Sequence, residues 1–122
     1  MTYDMTRVLV PMLLLRDALV LGSPVFFNNV PAQLKAFTDR TWSIKGNLKD
    51  KIGGAVVVGR RDGAEGAITA IHTFFWKHEM IPANRASMAE PLPGGEITED
   101  GEALESAKKL CKRIMELQAV LV

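Results

Sequence analysis

The feature that most constrains this chain is a pair of short, continuous apolar runs, each ended by glycine and each followed by a helical pattern. The first is DALVLG at 17–22, and the second is IGGAVVVG at 52–59. Successive side chains of a strand point to opposite faces of its sheet, so a run that is apolar throughout indicates a strand buried on both faces. The sequence therefore predicts an α/β fold with helices on both faces of a short parallel sheet.

Helical periodicity fills the segments between these runs. Apolar residues recur at helical spacing over 30–42 and 67–79, and a last helix is predicted to begin near Thr98. A weaker third strand is predicted over 80–88, where Pro82 suits only the edge of a sheet. Right-handed crossovers between parallel strands would place the helices at 30–42 and 67–79 on one face and the last helix on the other.

The apolar segment MTRVLVPMLLLR at 5–16 is compatible with two structures. A helix that starts at Asp4 would be kinked at Pro11, because proline removes an internal hydrogen bond. A shorter helix could instead start near Pro11 itself. The segment is too short to span a bilayer and lacks the basic start of a signal peptide, so no membrane association is expected.

The 122 residues predict a single domain, 1–122, with a formal net charge of +1. That charge offers no strong field for nucleic acid or an acidic membrane. The one cysteine, Cys111, excludes an intrachain disulfide or a metal centre built from this chain's own thiolates, and a cytoplasmic location is expected. Its place on the apolar stripe of the last helix predicts that it is buried. His72 and His78 are six residues apart on one predicted helix, which favours packing or a surface role over metal binding.

Three segments carry a family resemblance: GSPVFFNNVPAQLKAFTDRT, KIGGAVVVGRRDGAEG and IHTFFWKHEMI. They resemble the flavodoxin-like NADPH-dependent FMN reductases, which include the iron–sulfur flavoproteins. The resemblance implies a flavodoxin-like three-layer sandwich whose short parallel sheet corresponds to strands 3, 4 and 5 of the family. It also implies FMN as cofactor and NAD(P)H as co-substrate.

The resemblance places the flavin ring at the loops that follow the first two strands, where ligands of open α/β sheets bind. One wall would come from the loop after 17–22 and the other from the RRDGAEG loop at 60–66. Arg60 and Arg61 could grip a phosphate or form a solvated basic pair. The implied cofactor-binding residues are Ser23, Pro24, Val25, Phe26, Asn29, Arg60, Gly63 and Glu65.

The chain departs from the family pattern in several ways. Phe26 stands where tyrosine is usual, Asn28 where glycine is usual, and Pro31 where a small polar residue is usual. The family's first strand, phosphate loop and cysteine cluster have no counterpart, so a truncated domain is expected. The strand at 17–22 would then be an exposed edge, which predicts a homo-oligomer or a second polypeptide that completes the sheet.

The function implied by the resemblance is an FMN-binding NAD(P)H-dependent oxidoreductase that passes electrons to a quinone, a free flavin or a small carrier. The flavin would supply the redox chemistry, and no catalytic side chain is predicted. The missing phosphate loop leaves a second hypothesis, in which the chain is a non-catalytic interaction subunit or relic that no longer binds FMN. A third is a module that binds another planar ligand in the same cleft.

Overall fold

The computed structural model of the chain describes residues 6–60, 62–89 and 101–121. Helices and strands alternate along it, as the apolar runs and helical patterns predict. In chain order the elements are α1 (Thr6–Leu15), β1 (Ala18–Pro24), α2 (Ala32–Arg40), a 3₁₀ helix (Thr41–Ile44), β2 (Ile52–Val58), α3 (Ala64–Lys77), β3 (Ile81–Pro82), β4 (Ser87–Ala89) and α4 (Gly101–Leu121).

The strands form one parallel sheet. β1 pairs with β2 along its whole length, from Ala18 opposite Ile52 to Pro24 opposite Val58. The other edge of β2 pairs with β3 and β4, so β1 is an edge strand within the described ranges. The parallel sheet is therefore confirmed, and it is ordered β1, β2 and then the β3–β4 pair.

The third strand predicted over 80–88 is divided into β3 and β4. Pro82 does not interrupt the ladder to β2, because the flanking residues make the hydrogen bonds. The amide of Ile81 donates to the carbonyl of Lys51 at 2.8 Å, and the amide of Ala83 donates to the carbonyl of Gly53 at 2.7 Å. Successive amides of a strand point to opposite edges, so Pro82 lacks an N–H only on the side away from β2.

The helices pack on the two faces as predicted. On one face, the core joins Leu13 of α1 with residues of α2 and α3, and Phe75 of α3 is fully buried there. A Cβ on Gly53 would lie 2.8 Å from the Phe75 ring, so the helix approaches the backbone of β2 directly. On the other face, Leu110 and Ile114 of α4 pack against β2. A fully buried side chain such as Phe75 or Leu110 contributes about 1.5–3 kcal/mol of hydrophobic stabilisation.

Several predicted boundaries are wrong. β1 does not end at Gly22 but continues through Pro24, and the amide of Val25 still donates to Val58 of β2 at 3.1 Å. The helix predicted over 67–79 begins at Ala64, so the segment 64–66 is helical and not a loop. The helix predicted over 30–42 ends at Arg40 and tightens into the 3₁₀ helix. Thr98, the predicted start of the last helix, lies outside the described residues.

Of the two structures predicted for the first helix, the shorter one starting near Pro11 is wrong, and Asp4, the start of the longer one, lies outside the described residues. Pro11 lies inside α1, which the structure describes from Thr6 to Leu15. Lys51 holds the end of this helix, since its ammonium donates to the carbonyls of Leu14 at 3.2 Å and Arg16 at 2.5 Å. None of the helices in the described ranges is both long and apolar enough to cross a membrane.

Apolar side chains are exposed on several elements, among them β1, α4 and α1. On β1, Val20 is 48% exposed, and no atom lies within 4 Å of a Cβ placed on Gly22. On α4, Leu104 and Met115 are exposed beside Cys111. The prediction that Cys111 is buried is wrong, because Leu110 is the residue that packs against the sheet and Cys111 beside it is exposed. The outer side of α1 is also apolar, with Val8, Met12, Leu14 and Leu15 exposed.

Candidate cofactor site at the carboxyl ends of the strands

The loop that leaves β1 is a tight reverse turn. The amide of Phe26 donates to the carbonyl of Asn29 at 2.8 Å, and the amide of Asn29 donates back to Phe26 at 3.1 Å. Both central residues have positive φ, 50° at Phe27 and 60° at Asn28, as in the type I′ turns of two-residue hairpins. The left-handed conformation costs a non-glycine residue roughly 1–2 kcal/mol, so packing must hold this turn in place.

The start of α3 supplies that packing. A Cβ on Gly66 would lie 1.6 Å from the carbonyl oxygen of Asn28, and a Cβ on Gly63 would lie 2.2 Å from its side-chain Oδ1. Gly63 also has a left-handed φ of 84° at the N-cap of α3. Only glycine allows contacts this close. The turn therefore rests directly on the first turn of α3, and the two loops form one unit.

The contact between Gly66 and Asn28 is a feature of the site that the sequence does not predict. Gly63 and Gly66 are three residues apart, which places both on one side of a helical turn. Such a pair at the start of a helix is a signal of close backbone approach. The composition of 60–66 favours a loop, so this signal does not stand out in the sequence.

The eight residues predicted to bind cofactor are not equivalent in the structure. Pro24, Phe26, Asn29, Arg60 and Glu65 are exposed around the turn and the start of α3. By contrast, Ser23 is buried on the core side of β1, and its hydroxyl donates to the carbonyl of Pro24 at 2.7 Å. Val25 is partly buried against the core, and Gly63 caps α3. Their contacts with a cofactor remain predictions.

The exposed groups at the turn suit a flat aromatic ring with a polar edge. Phe26 is 59% exposed, and Phe27 is fully exposed at the tip. Asn29 is oriented because its Oδ1 accepts a hydrogen bond from the amide of Val30 at 2.8 Å, which leaves its Nδ2 available as a donor. Ligand sites combine apolar and aromatic walls with a few such polar groups. The described residues thus fit the ring of a flavin.

The described residues fit a flavin phosphate less fully. Arg60 presents an exposed guanidinium directly after β2, and Arg61 lies outside the described ranges. On the β1 side, no described element faces the turn from beyond the edge strand. Two concave surfaces lie elsewhere, one between α2 and α3 and one on α4. The described residues therefore form one side of the candidate ring site, and its open side adjoins the edge of β1.

The two histidines serve packing, as predicted. His72 stacks on Trp76 with ring centroids 5.9 Å apart, and its Nε2 lies 3.2 Å from the carbonyl of Asn84. His78 is buried, with its Nε2 2.8 Å from the hydroxyl of Thr41. Within the described parts of the chain, no group of three or more His, Cys, Asp or Glu residues could hold a metal ion.

Comparison with known proteins bears on this site. A family model described as NADPH-dependent FMN reductase matches residues 2–92, which include the turn, β2 and α3. An iron-sulfur flavoprotein of Methanocaldococcus jannaschii is 38% identical over 112 residues, covering 83% of this chain and 58% of the relative. An iron-sulfur flavoprotein of Methanosarcina thermophila is 36% identical over 104 residues, covering 78% of this chain and 54% of the relative.

The solved structures show the fold. The Trp repressor binding protein from Bacillus subtilis superimposes with a TM-score of 0.77 at 20% identity, covering 89% of this chain and 71% of that one. The predicted flavodoxin-like sandwich is thereby confirmed. The chain spans somewhat more than half the length of the iron-sulfur flavoproteins that it matches. Because the family model covers most of the chain, including both loops of the candidate site, the chain belongs to the NADPH-dependent FMN reductase family.

Proposed function

We propose that this chain holds the isoalloxazine ring of FMN in an NAD(P)H-dependent oxidoreductase. The observation that carries the proposal is the conformation of the turn at 26–29. Its two central residues have positive φ, its backbone is in close contact with α3, and it exposes the aromatic side chains of Phe26 and Phe27. Strained backbone persists where surrounding structure holds it, and it is concentrated at ligand sites. The family and the 38% identical iron-sulfur flavoprotein support FMN as the ligand and do not favour a relic without cofactor.

Each group at the turn has a distinct part in holding the ring. Phe26 provides an apolar wall, and the Nδ2 of Asn29 donates to an acceptor on the ring's polar edge. The backbone amides of Phe27 and Asn28 make no hydrogen bond to other described residues, so they are free to donate as well. When bound, FMN supplies the electron transfer, and the protein supplies orientation and electrostatics.

The turn is tested by titrating FMN into the purified chain and following the flavin fluorescence. Phe26→Ala should weaken FMN binding about tenfold, since one aromatic contact is worth roughly 1.4 kcal/mol with its buried area. Trp76→Ala is the matched control, because Trp76 is equally exposed but lies near the far end of α3. Failure to bind FMN, by the chain alone and with any co-purified partner, would overturn the proposal.

Arg60 is proposed to contact the phosphate of FMN. A guanidinium binds phosphate through paired N–H groups, and Arg60 is exposed beside the turn. Arg60→Gln should weaken FMN but leave riboflavin, which has no phosphate, bound as before. Equal losses for both ligands would place Arg60 at the ring or in the fold instead.

The assembly proposed for this function follows from the open side of the site. The free edge of β1 carries no charged residue, and native proteins seldom leave such an edge uncovered. Val20 is exposed on β1, and Leu104, Cys111 and Met115 are exposed on α4. A second copy of the chain, or a second polypeptide, covers these surfaces and supplies the opposite wall of the cofactor site.

The assembly is tested by light scattering of the purified chain and of its complexes. Val20→Lys should dissociate it, because a charge at a buried contact is strongly disfavoured. Gln33→Lys, on the exposed side of α2, is the matched control and should leave the assembly unchanged. A wild-type chain that stays a stable monomer at micromolar concentration and recruits no partner would contradict the proposal.

A further inference from the structure

A groove runs between α2 with its 3₁₀ helix and the C-terminal half of α3. It has a volume of about 400 Å³, which suits one small molecule. Apolar side chains form its walls, among them Val30, Leu34, Ile71 and Phe74. Among the described residues of the segment 60–66, none borders it. The groove is thus a separate concave surface on the outer helix layer.

The polar end of this groove is remote from the flavin turn. Lys77 borders the groove and ends α3, whereas Gly66 touches the turn at the start of the same helix. At 1.5 Å per residue the two positions are about 16 Å apart along the helix axis. A ligand at the Lys77 end would therefore not occupy the ring site.

The charges around the groove do not cancel. Lys35 and Asp39 form an ion pair with each other. The ammonium of Lys45 lies 4.7 Å from the centroid of the Trp42 ring, and that of Lys77 lies 5.5 Å from it. Neither Lys45 nor Lys77 has a salt-bridge partner among residues 6–60, 62–89 and 101–121. Two like charges converge on one exposed indole, and an anion placed between them would relieve their repulsion.

We propose that this groove binds a small aromatic carboxylate, with its ring against Leu34 and Phe74 and its carboxylate between Lys45 and Lys77. The apolar walls favour an aromatic ring in the ligand, because binding removes apolar surface of both from water and buries no unpaired polar group. The two ammonium groups favour a carboxylate in the ligand, because charge-assisted hydrogen bonds are stronger than hydrogen bonds between neutral groups. The site assigned here is additional to the cofactor site and does not depend on FMN binding.

His78 gives the groove a polar wall that carries no charge at neutral pH. The hydroxyl of Thr41 donates to the carbonyl of Thr38 at 2.6 Å, so it can only accept from the His78 Nε2. The proton is thereby assigned to Nε2, and the buried Nδ1 is an acceptor without a partner among the described residues. Burial and the nearby Lys45 lower the pKa of His78. The net positive charge at the groove therefore comes from Lys45 and Lys77 alone.

The test uses 2-naphthoate as the probe and naphthalene-2-methanol as its neutral isostere. Binding to the full chain is followed through the indole N–H signals of Trp42 and Trp76 in ¹⁵N spectra, assigned with Trp76→Phe. Naphthoate should shift the Trp42 signal saturably and leave Trp76 in place. The neutral alcohol should bind at least about tenfold more weakly, which corresponds to roughly 1.4 kcal/mol.

Variants separate the groove from non-specific adsorption. The double substitution of Lys45 and Lys77 to Gln should weaken naphthoate about tenfold and leave the alcohol unchanged. Lys49→Gln is the matched control, because Lys49 is an exposed lysine that pairs with Glu79 at 3.7 Å. Equal affinity for both probes, unchanged binding by the double variant, or a Trp42 signal that responds only to protein concentration would overturn the proposal.

Discussion

Replacing Gly66 with alanine tests whether the contact between the 26–29 turn and α3 positions the cofactor site. A Cβ at this position would lie 1.6 Å from the carbonyl oxygen of Asn28 and 2.8 Å from its carbonyl carbon. Both are backbone atoms, so no side-chain rotation relieves the overlap. Ordinary contact begins near 3.4 Å, and the turn must therefore retreat by roughly 2 Å.

Two opposing effects set the size of the change. Alanine stabilises a helix interior by about 0.5–1 kcal/mol relative to glycine. Overpacking against fixed backbone costs typically 1–3 kcal/mol. The free energy of unfolding should therefore fall by only about 1–2 kcal/mol. A displacement of that size at a binding group costs far more function than stability, so FMN affinity should fall at least about tenfold.

The measurements are urea unfolding, FMN titration and hydrogen exchange of the Asn29 amide, which the displaced turn should leave less protected. Gly101→Ala is the matched control, because Gly101 also lies at the start of a described helix and its added Cβ meets no atom within 4 Å. Wild-type FMN affinity and wild-type exchange in Gly66→Ala would refute the idea that α3 holds the turn. Loss of FMN binding with unchanged hydrogen exchange of the Asn29 amide would refute it as well.

Two further results are expected. Burial and Lys45 lower the pKa of His78 in the folded chain below its ordinary value of 6.5. As the pH falls, the histidine is therefore protonated in the unfolded chain before it is protonated in the folded one. The free energy of unfolding should consequently decrease below about pH 6.5. Urea unfolding between about pH 5 and 8 measures this, and a smaller slope is expected for His78→Gln. Gly53→Ala should destabilise the fold by about 1–3 kcal/mol, because its Cβ would lie 2.8 Å from the Phe75 ring. Gly22→Ala, whose Cβ meets nothing, is its control in thermal unfolding.

The sheet and its helix layers could be predicted because they follow from one-dimensional patterns. Uninterrupted apolar runs indicate strands covered on both faces, and β2 is buried along most of its length. The same prediction is wrong for β1, where Val20, Gly22 and Pro24 are exposed on one face. Helical spacing then identifies which side of α3 meets the sheet, and Ile71, His72 and Phe75 are all buried. These patterns are local in the sequence, so they can be recognised without knowledge of the tertiary structure.

The contact at the site could not be predicted because it opposes local propensity. Glycine is a poor helix former, so 64–66 reads as loop, yet Gly66 is required by the backbone of Asn28. The two residues are far apart in sequence, and no periodicity connects them. Similarly, the apolar stripe of α4 does not show which of its residues face the sheet. Leu110 is buried, whereas Cys111, the next residue, is exposed.

The exposed edge and the cofactor site are linked by their positions. Val20, Gly22 and Pro24 alternate with buried residues along β1, and the strand leads directly into the turn at Phe26. A partner that pairs with this edge would stand beside the turn and close the open side of the ring site. Binding and assembly would then be reciprocally coupled, so FMN should tighten self-association by the same factor by which association tightens FMN. Light scattering with and without FMN measures this factor, and a value of one would show that the partner does not contribute to the site.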